Sequence, residues 1–118
     1  MGRLSTHILD IAQGHPAQNV LIELFGLAAS GERRLLATAR TNADGRTADP
    51  LLSGADFATG TYELCFHIGD YFRACGADAA QPPFLDVVPV RFAISDAGGH
   101  YHVPLLCSPW SYSTYRGS

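Results

Sequence analysis

Hydrophobic and polar residues alternate along most of the chain, in short runs whose length is typical of β-strands. Successive side chains of a strand point to opposite faces of a sheet, so alternation predicts a strand with one face in the core. The pattern is clearest in 86–94, where apolar residues occupy every second position from Val88 to Ile94, and in 20–27. Weaker runs predict five further strands, at residues 4–10, 34–41, 61–67, 101–107 and 110–115.

Turn residues and one short helix separate these runs. The segment Asn-Ala-Asp-Gly at 42–45 combines side chains that cap local backbone groups with a glycine that tolerates positive φ, so it predicts a tight turn. The segment Asp-Ala-Gly-Gly at 96–99 predicts a hairpin-like turn. A helix is predicted over Tyr71–Cys75, with Asp70 as its N-cap and Gly76 as its C-cap.

This order of elements predicts an all-β fold. About seven or eight short strands at this spacing, with one short helix, are typical of an antiparallel β-sandwich. The length of 118 residues predicts a single domain spanning 1–118. Pro89 and Pro104 lie inside predicted strands, where they cannot donate to a hydrogen-bond ladder, so they predict edges, bulges or non-bonded positions.

Charge and composition narrow the possible partners. Charged residues make up 16% of the chain, below the usual ~25%, which indicates that part of the surface is covered in an oligomer. The net charge is -3 and the basic residues are scattered, which argues against nucleic acid. The N-terminus lacks the features of a signal peptide, and no run is long enough for a membrane span. Three cysteines without a CxxC pair predict reduced thiols and a cytoplasmic protein.

Two histidines are candidates for chemistry. His7 and His102 lie on the predicted outward faces of the first strand and of a late strand, and such strands often pair in Greek-key sandwiches. Together they can activate a water molecule or supply two ligands to a metal, although a catalytic zinc normally has three protein ligands and no third is evident. The alternative is a pair of solvent-facing histidines without a catalytic role.

Arg46 and the C-terminal tail are further candidates. Arg46 follows the 42–45 turn, where its guanidinium can bind a planar anion through two parallel hydrogen bonds or can simply be solvated. The tail 113–118 follows an aromatic strand, so it can deliver Tyr115, Arg116 or the terminal carboxylate to a neighbouring surface, or it can fray. The chain contains neither a GxSxG nucleophile motif nor a glycine-rich phosphate loop.

Several segments together resemble the 5-hydroxyisourate hydrolases, the enzyme relatives of transthyretin. The resemblance extends almost from end to end, and the final YRGS is typical of that family. It is carried by LSTHILDIAQGHPA (4–17), TNADGRT (41–47), GTYELCFHIGDYF (60–72), PPFLDVVPVRFAI (82–94) and HYHVPLLCSPWSYSTYRGS (100–118).

The resemblance implies a transthyretin-like sandwich of two four-stranded sheets with one short helix. It also implies a homotetramer, a dimer of dimers with active sites at the dimer–dimer interface, and no cofactor or metal. The implied reaction is hydrolysis of 5-hydroxyisourate to 2-oxo-4-hydroxy-4-carboxy-5-ureidoimidazoline. The implied catalytic residues are His7, Arg46 and His102, and the implied substrate contacts are His7, Arg46, Tyr115, Arg116 and Ser118.

Two other functions remain open. A transthyretin-like carrier would bind planar aromatic ligands without catalysis, but the carrier branch is expected to have lysine in place of His7 and to lack YRGS. A metal-dependent protein would use His7 and His102 as ligands. Metal analysis, an assay in chelator and the rate of 5-hydroxyisourate decay would separate the three possibilities.

Overall fold

The computed structural model describes residues 2–77 and 80–117. This part of the chain contains nine strands, one α-helix and a short 3-10 helix at Gly54–Asp56. The elements are β1 (Arg3–Asp10), β2 (His15–Pro16), β3 (Leu21–Leu27), β4 (Arg33–Arg40), β5 (Leu52–Ser53), β6 (Gly60–His67), α1 (Ile68–Ala74), β7 (Val87–Ile94), β8 (His100–Cys107) and β9 (Tyr112–Thr114). No helix among these residues is long and apolar enough to cross a membrane.

The strands form two facing sheets, which confirms the predicted β-sandwich. One sheet has the order β4-β3-β6-β7, and the other has β2-β1-β8-β9 with β5 also paired to β1. The second sheet therefore has five strands instead of the expected four, because the two-residue strands β2 and β5 are too short to give an alternating pattern. The pairs are antiparallel except for β1 with β8, which run parallel.

Alternation along β1 sets which residues reach the core. Leu4, Thr6 and Ile8 are buried, whereas Ser5 and His7 are half-buried on the opposite face. Thr6 is accommodated because its hydroxyl donates to the Val103 carbonyl oxygen at 2.7 Å, which satisfies a polar group that would otherwise be costly to bury. The outward face of this sheet is thus the one that carries His7, as the alternation predicted.

The helix starts earlier than the sequence indicated. It spans Ile68–Ala74 and begins directly after β6, with Ile68 and Phe72 buried against the core. The prediction of Asp70 as N-cap is wrong, because Asp70 lies in the first turn and pairs with Arg73 at 2.5 Å. The predicted C-cap is wrong by one residue, because Cys75 is the C-cap and Gly76 follows it at a φ of 76°, the left-handed conformation that commonly ends a helix.

Candidate functional site

The two candidate histidines are neighbours on the outward face of the β1–β8 pair. Ser5 is the register partner of His102, and His7 is the register partner of Pro104. Residues two apart on a strand share a face, and register partners in a sheet lie side by side on one face. Ser5, His7 and His102 therefore form one half-buried group.

A hydrogen bond from the 42–46 segment determines which ring nitrogen of His7 carries a proton. Nε2 of His7 lies 2.8 Å from the backbone carbonyl oxygen of Asp44. A carbonyl oxygen can only accept, so Nε2 is the protonated nitrogen and donates. In neutral His7 the lone pair is consequently on Nδ1, which has no hydrogen-bond partner within residues 2–77 and 80–117.

The predicted turn is confirmed and is docked onto β1. The side-chain oxygen of Asn42 accepts from the N–H groups of Asp44 at 2.9 Å and Arg46 at 3.2 Å. Gly45 has a φ of 75°, and its carbonyl oxygen accepts from the Ile8 N–H at 2.8 Å. A Cβ at this glycine would collide with the Ile8 carbonyl oxygen, so the approach needs glycine.

Docking of the turn brings Arg46 to the edge of the histidine group. Its side chain is exposed in the single chain and borders an open hollow of about 240 Å³ next to Ser5. The lining residues of this hollow are Arg3, Ser5, Thr6, Arg46, Thr47, Ala48, Asp49 and Pro50. A planar anion bound there would face a guanidinium whose donors suit two parallel hydrogen bonds.

The ring of His102 is held at two edges. Nδ1 lies 2.9 Å from the Ser5 hydroxyl, and a Cβ on Gly117 would come within 2.7 Å of Cδ2 on the other edge of the ring. Burial lowers the pKa of His102 below its usual 6.5, and the positive charge of Arg46 lowers this pKa further, as does the charge of His7 whenever that ring is protonated. His102 is thus neutral at pH 7 and lies within the electrostatic reach of both candidate partners.

The C-terminal tail extends the ladder of β8 as far as His102. Leu105 pairs with Thr114, and the same register continues to a bridge in which the Gly117 N–H donates to the His102 carbonyl oxygen at 2.7 Å. Pro104, which falls opposite Tyr115 in this register, has no N–H to donate, and so the ladder is interrupted between its two paired stretches. Of the edge, bulge and non-bonded positions that the sequence left open for Pro104, the non-bonded position fits this gap in the ladder.

The tail residues predicted to contact substrate are placed differently from one another. Tyr115 is 60% exposed, whereas the Arg116 guanidinium lies 4.1 Å from the ring centroid of Tyr101, an inward-facing residue. Within one chain Arg116 is therefore on the other side of the strand from the histidines. The predicted substrate contact at Ser118 lies outside the described residues, and all three predicted tail contacts stay predictions.

Cysteine chemistry is not favoured at this site. Cys65, Cys75 and Cys107 are free thiols, as predicted from their spacing. Burial raises the pKa of Cys65 and raises that of Cys107 to about 12, so neither provides a thiolate at neutral pH. Among residues 2–77 and 80–117, no group of three histidine, cysteine or acidic side chains is arranged to hold a metal ion.

Three groups that contact the two histidines were not predicted from the sequence. They are the Ser5 hydroxyl, the Asp44 carbonyl group and the Gly117 backbone. Ser5 could have been found, because it is two residues before His7 on the same strand face. The other two act through the backbone, and residue type gives little indication of such a contact.

Comparison with known proteins gives full-length matches to hydrolases. A model of the HIUase/Transthyretin family matches residues 4–117. The chain is 58% identical over 117 residues to 5-hydroxyisourate hydrolase 2 of Rhizobium meliloti (strain 1021), covering 99% of this chain and 97% of that protein. It is 56% identical over 118 residues to the 5-hydroxyisourate hydrolase of Ralstonia nicotianae, with both proteins covered completely.

Solved structures confirm the transthyretin-like fold. Klebsiella pneumoniae 5-hydroxyisourate hydrolase matches with a TM-score of 0.80 and 38% identity, covering all of both chains. Sea bream transthyretin in complex with thyroxine matches with a TM-score of 0.87 and 32% identity, covering 98% of this chain and 94% of that one. An (S)-allantoin synthase matches with a TM-score of 0.93 and 45% identity, and this chain spans 44% of its length. By the family model and these full-length relatives, the chain belongs to the HIUase/Transthyretin family.

Proposed function

We propose that this protein hydrolyses 5-hydroxyisourate to 2-oxo-4-hydroxy-4-carboxy-5-ureidoimidazoline. The observation that carries the proposal is the group formed by His7, His102 and Arg46, in which the two histidines share one outward face and the charge of Arg46 acts on the His102 ring. Full-length relatives named 5-hydroxyisourate hydrolase support the same activity. The group combines two potential bases with a fixed cation, which is what hydrolysis of an amide-like bond requires.

The proposed reaction is direct attack by water on an amide-like carbonyl carbon of the six-membered ring. Nε2 of neutral His102 takes a proton from the water while the water oxygen forms a bond to the carbonyl carbon. Nδ1 of His7 accepts a second hydrogen bond from that water. The carbon–nitrogen bond then breaks, the ring opens, and the departing nitrogen receives the proton held on His102. A general base of this kind contributes roughly 10²–10⁴-fold to the rate.

Arg46 is proposed to stabilise the negative charge that develops during attack. Its guanidinium binds the carbonyl oxygen of the substrate, which becomes an oxyanion in the tetrahedral transition state. Arginine suits this role because it stays charged at any working pH and offers several donors in one plane. The exposed position of Arg46 beside an open hollow gives a planar substrate access to it.

The proposed working form is a homotetramer in which two dimers meet at this outward face. The face is open in the single chain, because His7 and His102 are half-buried and Arg46 is exposed. A second dimer would close the face into a channel, exclude bulk water and strengthen the electrostatic interactions in the site. Tyr115 and Ser118 are proposed to border this channel and to orient the substrate, whereas Arg116, which lies against the Tyr101 ring on the other side of the strand, is proposed to anchor the tail.

The test is an assay in which urate oxidase makes the substrate in place and its ultraviolet absorbance is followed. The protein is expected to accelerate the decay far above the uncatalysed rate. His7→Ala and His102→Gln are each expected to reduce turnover at least about 10²-fold while the protein stays folded. His15→Ala is the control, because His15 is exposed in β2, where it pairs with Asp10 at the far end of β1. Decay at the uncatalysed rate with wild-type protein would exclude the activity.

A carrier function is the second candidate, because the sea bream transthyretin structure matches at least as well as a hydrolase structure, with TM-scores of 0.87 and 0.80. A carrier would bind planar aromatic ligands and leave the decay rate unchanged. The histidine pair favours the hydrolase, since a hydrophobic binding channel has no need for two adjacent imidazoles. The same assay, with ligand binding measured in parallel, separates the two functions.

A further inference from the structure

We infer that Ser5 is a positioning residue that sets the tautomer of His102 for catalysis. This inference rests on the proposed function, and it concerns a residue outside the set of His7, Arg46 and His102. The Ser5 hydroxyl lies 2.9 Å from Nδ1 of His102, although the two residues are 97 positions apart in the chain. Register pairing between β1 and β8 holds them side by side, so the contact is part of the sheet itself.

The surroundings of the ring leave one nitrogen for the substrate. Ser5 contacts the Nδ1 edge, and the Gly117 backbone lies against the Cδ2 edge. Nε2 has no hydrogen-bond partner within residues 2–77 and 80–117. Turning the ring over would break the Ser5 hydrogen bond and would bring Nδ1 against the Gly117 backbone, so Nε2 keeps a constant direction.

The direction of the Ser5 hydrogen bond then defines which form of the ring reacts. A hydroxyl oxygen can accept a hydrogen bond as well as donate one. When Ser5 accepts from Nδ1–H, the proton of neutral His102 is on Nδ1 and the lone pair is on Nε2. After Nε2 takes a proton from water, the imidazolium still donates from Nδ1 to Ser5. The hydrogen bond therefore persists through the reaction, and no proton leaves Nδ1.

A serine suits this position better than a carboxylate would. An adjacent carboxylate would raise the pKa of the imidazole, whereas a neutral hydroxyl orients the ring without adding charge. The permanent charge that acts on the ring is that of Arg46, and it favours the neutral form of His102, as does His7 whenever it is protonated. Ser5 thus gives His102 an orientation while leaving it unprotonated at neutral pH.

The experiment compares Ser5→Ala with Ser5→Thr in the full chain. Ser5→Ala is expected to lower kcat by about 10- to 100-fold, the range found when the hydrogen-bond partner that orients a metal-binding imidazole is removed. KM is expected to change much less, because Ser5 orients the base and does not hold the substrate. Ser5→Thr keeps a hydroxyl on a strand position that tolerates β-branching, and it is expected to restore most of kcat. Ser53→Ala is the matched control, because Ser53 is an exposed serine in β5 whose side chain makes no capping hydrogen bond to the 3-10 helix that follows it.

Nitrogen-15 NMR of the His102 ring provides a readout that a purely structural role would not move. Wild-type protein is expected to show a protonated Nδ1 and an unprotonated Nε2 at pH 7, and Ser5→Ala is expected to show a mixture of the two tautomers. Wild-type kcat in Ser5→Ala, or a wild-type ring with its proton on Nε2, would overturn the inference. The wild-type spectrum is informative even if Ser5→Ala fails to fold. Absence of hydrolysis by wild-type protein would instead count against the proposed function, and the tautomer measurement would still test the role of Ser5 as an orienting group.

Discussion

Among single residues, Arg46 affects the reactivity of His102 through the pKa of the imidazole. Burial is the main cause of the lowered pKa of His102, and the charge of Arg46 is the next. The acid limb of the pH profile, on which kcat/KM falls as the pH falls, reports the pKa of an essential base in the free enzyme. We therefore expect the midpoint of this limb to lie below 6.5, the usual value for histidine.

Removal of the Arg46 charge should move the acid limb. In Arg46→Met the His102 pKa is expected to rise toward 6.5 without reaching it, because burial remains. The midpoint of kcat/KM against pH should shift upward accordingly, and kcat/KM at its optimum should fall. An acid limb that stays in place would show that the titrating base is not His102 or that Arg46 does not act on it.

Replacement by lysine separates charge from geometry. Arg46→Lys keeps the positive charge, so the acid limb is expected to stay near the wild-type position. It loses the two parallel donors, so kcat/KM is expected to fall by about tenfold or more, as for loss of a donor to a developing oxyanion. An unchanged kcat/KM would indicate that Arg46 is only a solvated loop residue.

The turn at 42–46 is an element whose backbone, more than its side chains, builds the site. Its Asp44 carbonyl group orients His7, and its Gly45 carbonyl group accepts from Ile8 in β1. The position of Arg46 follows from the same docking. A small displacement of the turn would thus disturb two candidate catalytic residues together.

Gly45→Ala tests this docking. A non-glycine residue at φ 75° is strained by roughly 1–3 kcal/mol, and the added Cβ also meets the Ile8 carbonyl oxygen. We expect a loss of unfolding free energy in urea together with a marked loss of kcat. Gly31→Ala is the control, because Gly31 has a φ of 90° with open space around it. Equal losses of kcat in the two variants would contradict a specific role for the docked turn.

The tail beyond β9 is a second element that belongs to the site more than to the core. Deletion of residues 115–118 leaves the β8–β9 pairing at Leu105–Cys107 intact but removes the Gly117 contact with His102. We expect kcat/KM to fall by roughly 10- to 100-fold, as misplacement of a catalytic group does, with a small change in Tm. Full activity of the truncated protein would refute a role for the tail.

At the scale of the whole molecule, activity is expected to depend on assembly. In one chain the proposed site is an open face, and Tyr115, two residues before the Gly117 bridge to His102, is 60% exposed. Exposed aromatic residues of this kind are common in interfaces between subunits. Dilution below the dissociation constant of the tetramer should therefore lower specific activity, with mass measured by light scattering at the same concentrations. Full specific activity in a monomer would contradict a shared site.

Local periodicity in the amino-acid sequence is enough to predict several parts of this protein. The outward face of β1, the alternating burial of β7 and the turn at 42–45 follow from side-chain alternation and from glycine and asparagine chemistry, which act between neighbouring residues. Strand faces and the turn identified His7, Arg46 and His102 as candidates, but their catalytic roles came from family resemblance, because periodicity alone does not separate a reactive histidine from a solvated one.

The hydrogen-bond partners of these side chains depend on the tertiary structure. The Ser5–His102 contact joins residues 97 positions apart, and the His7–Asp44 contact joins residues 37 apart. The parallel pairing of β1 with β8 and the early start of α1 likewise depend on how distant segments pack. Residue patterns record which face a side chain occupies, whereas a hydrogen-bond partner is set by the pairing of strands and the docking of loops.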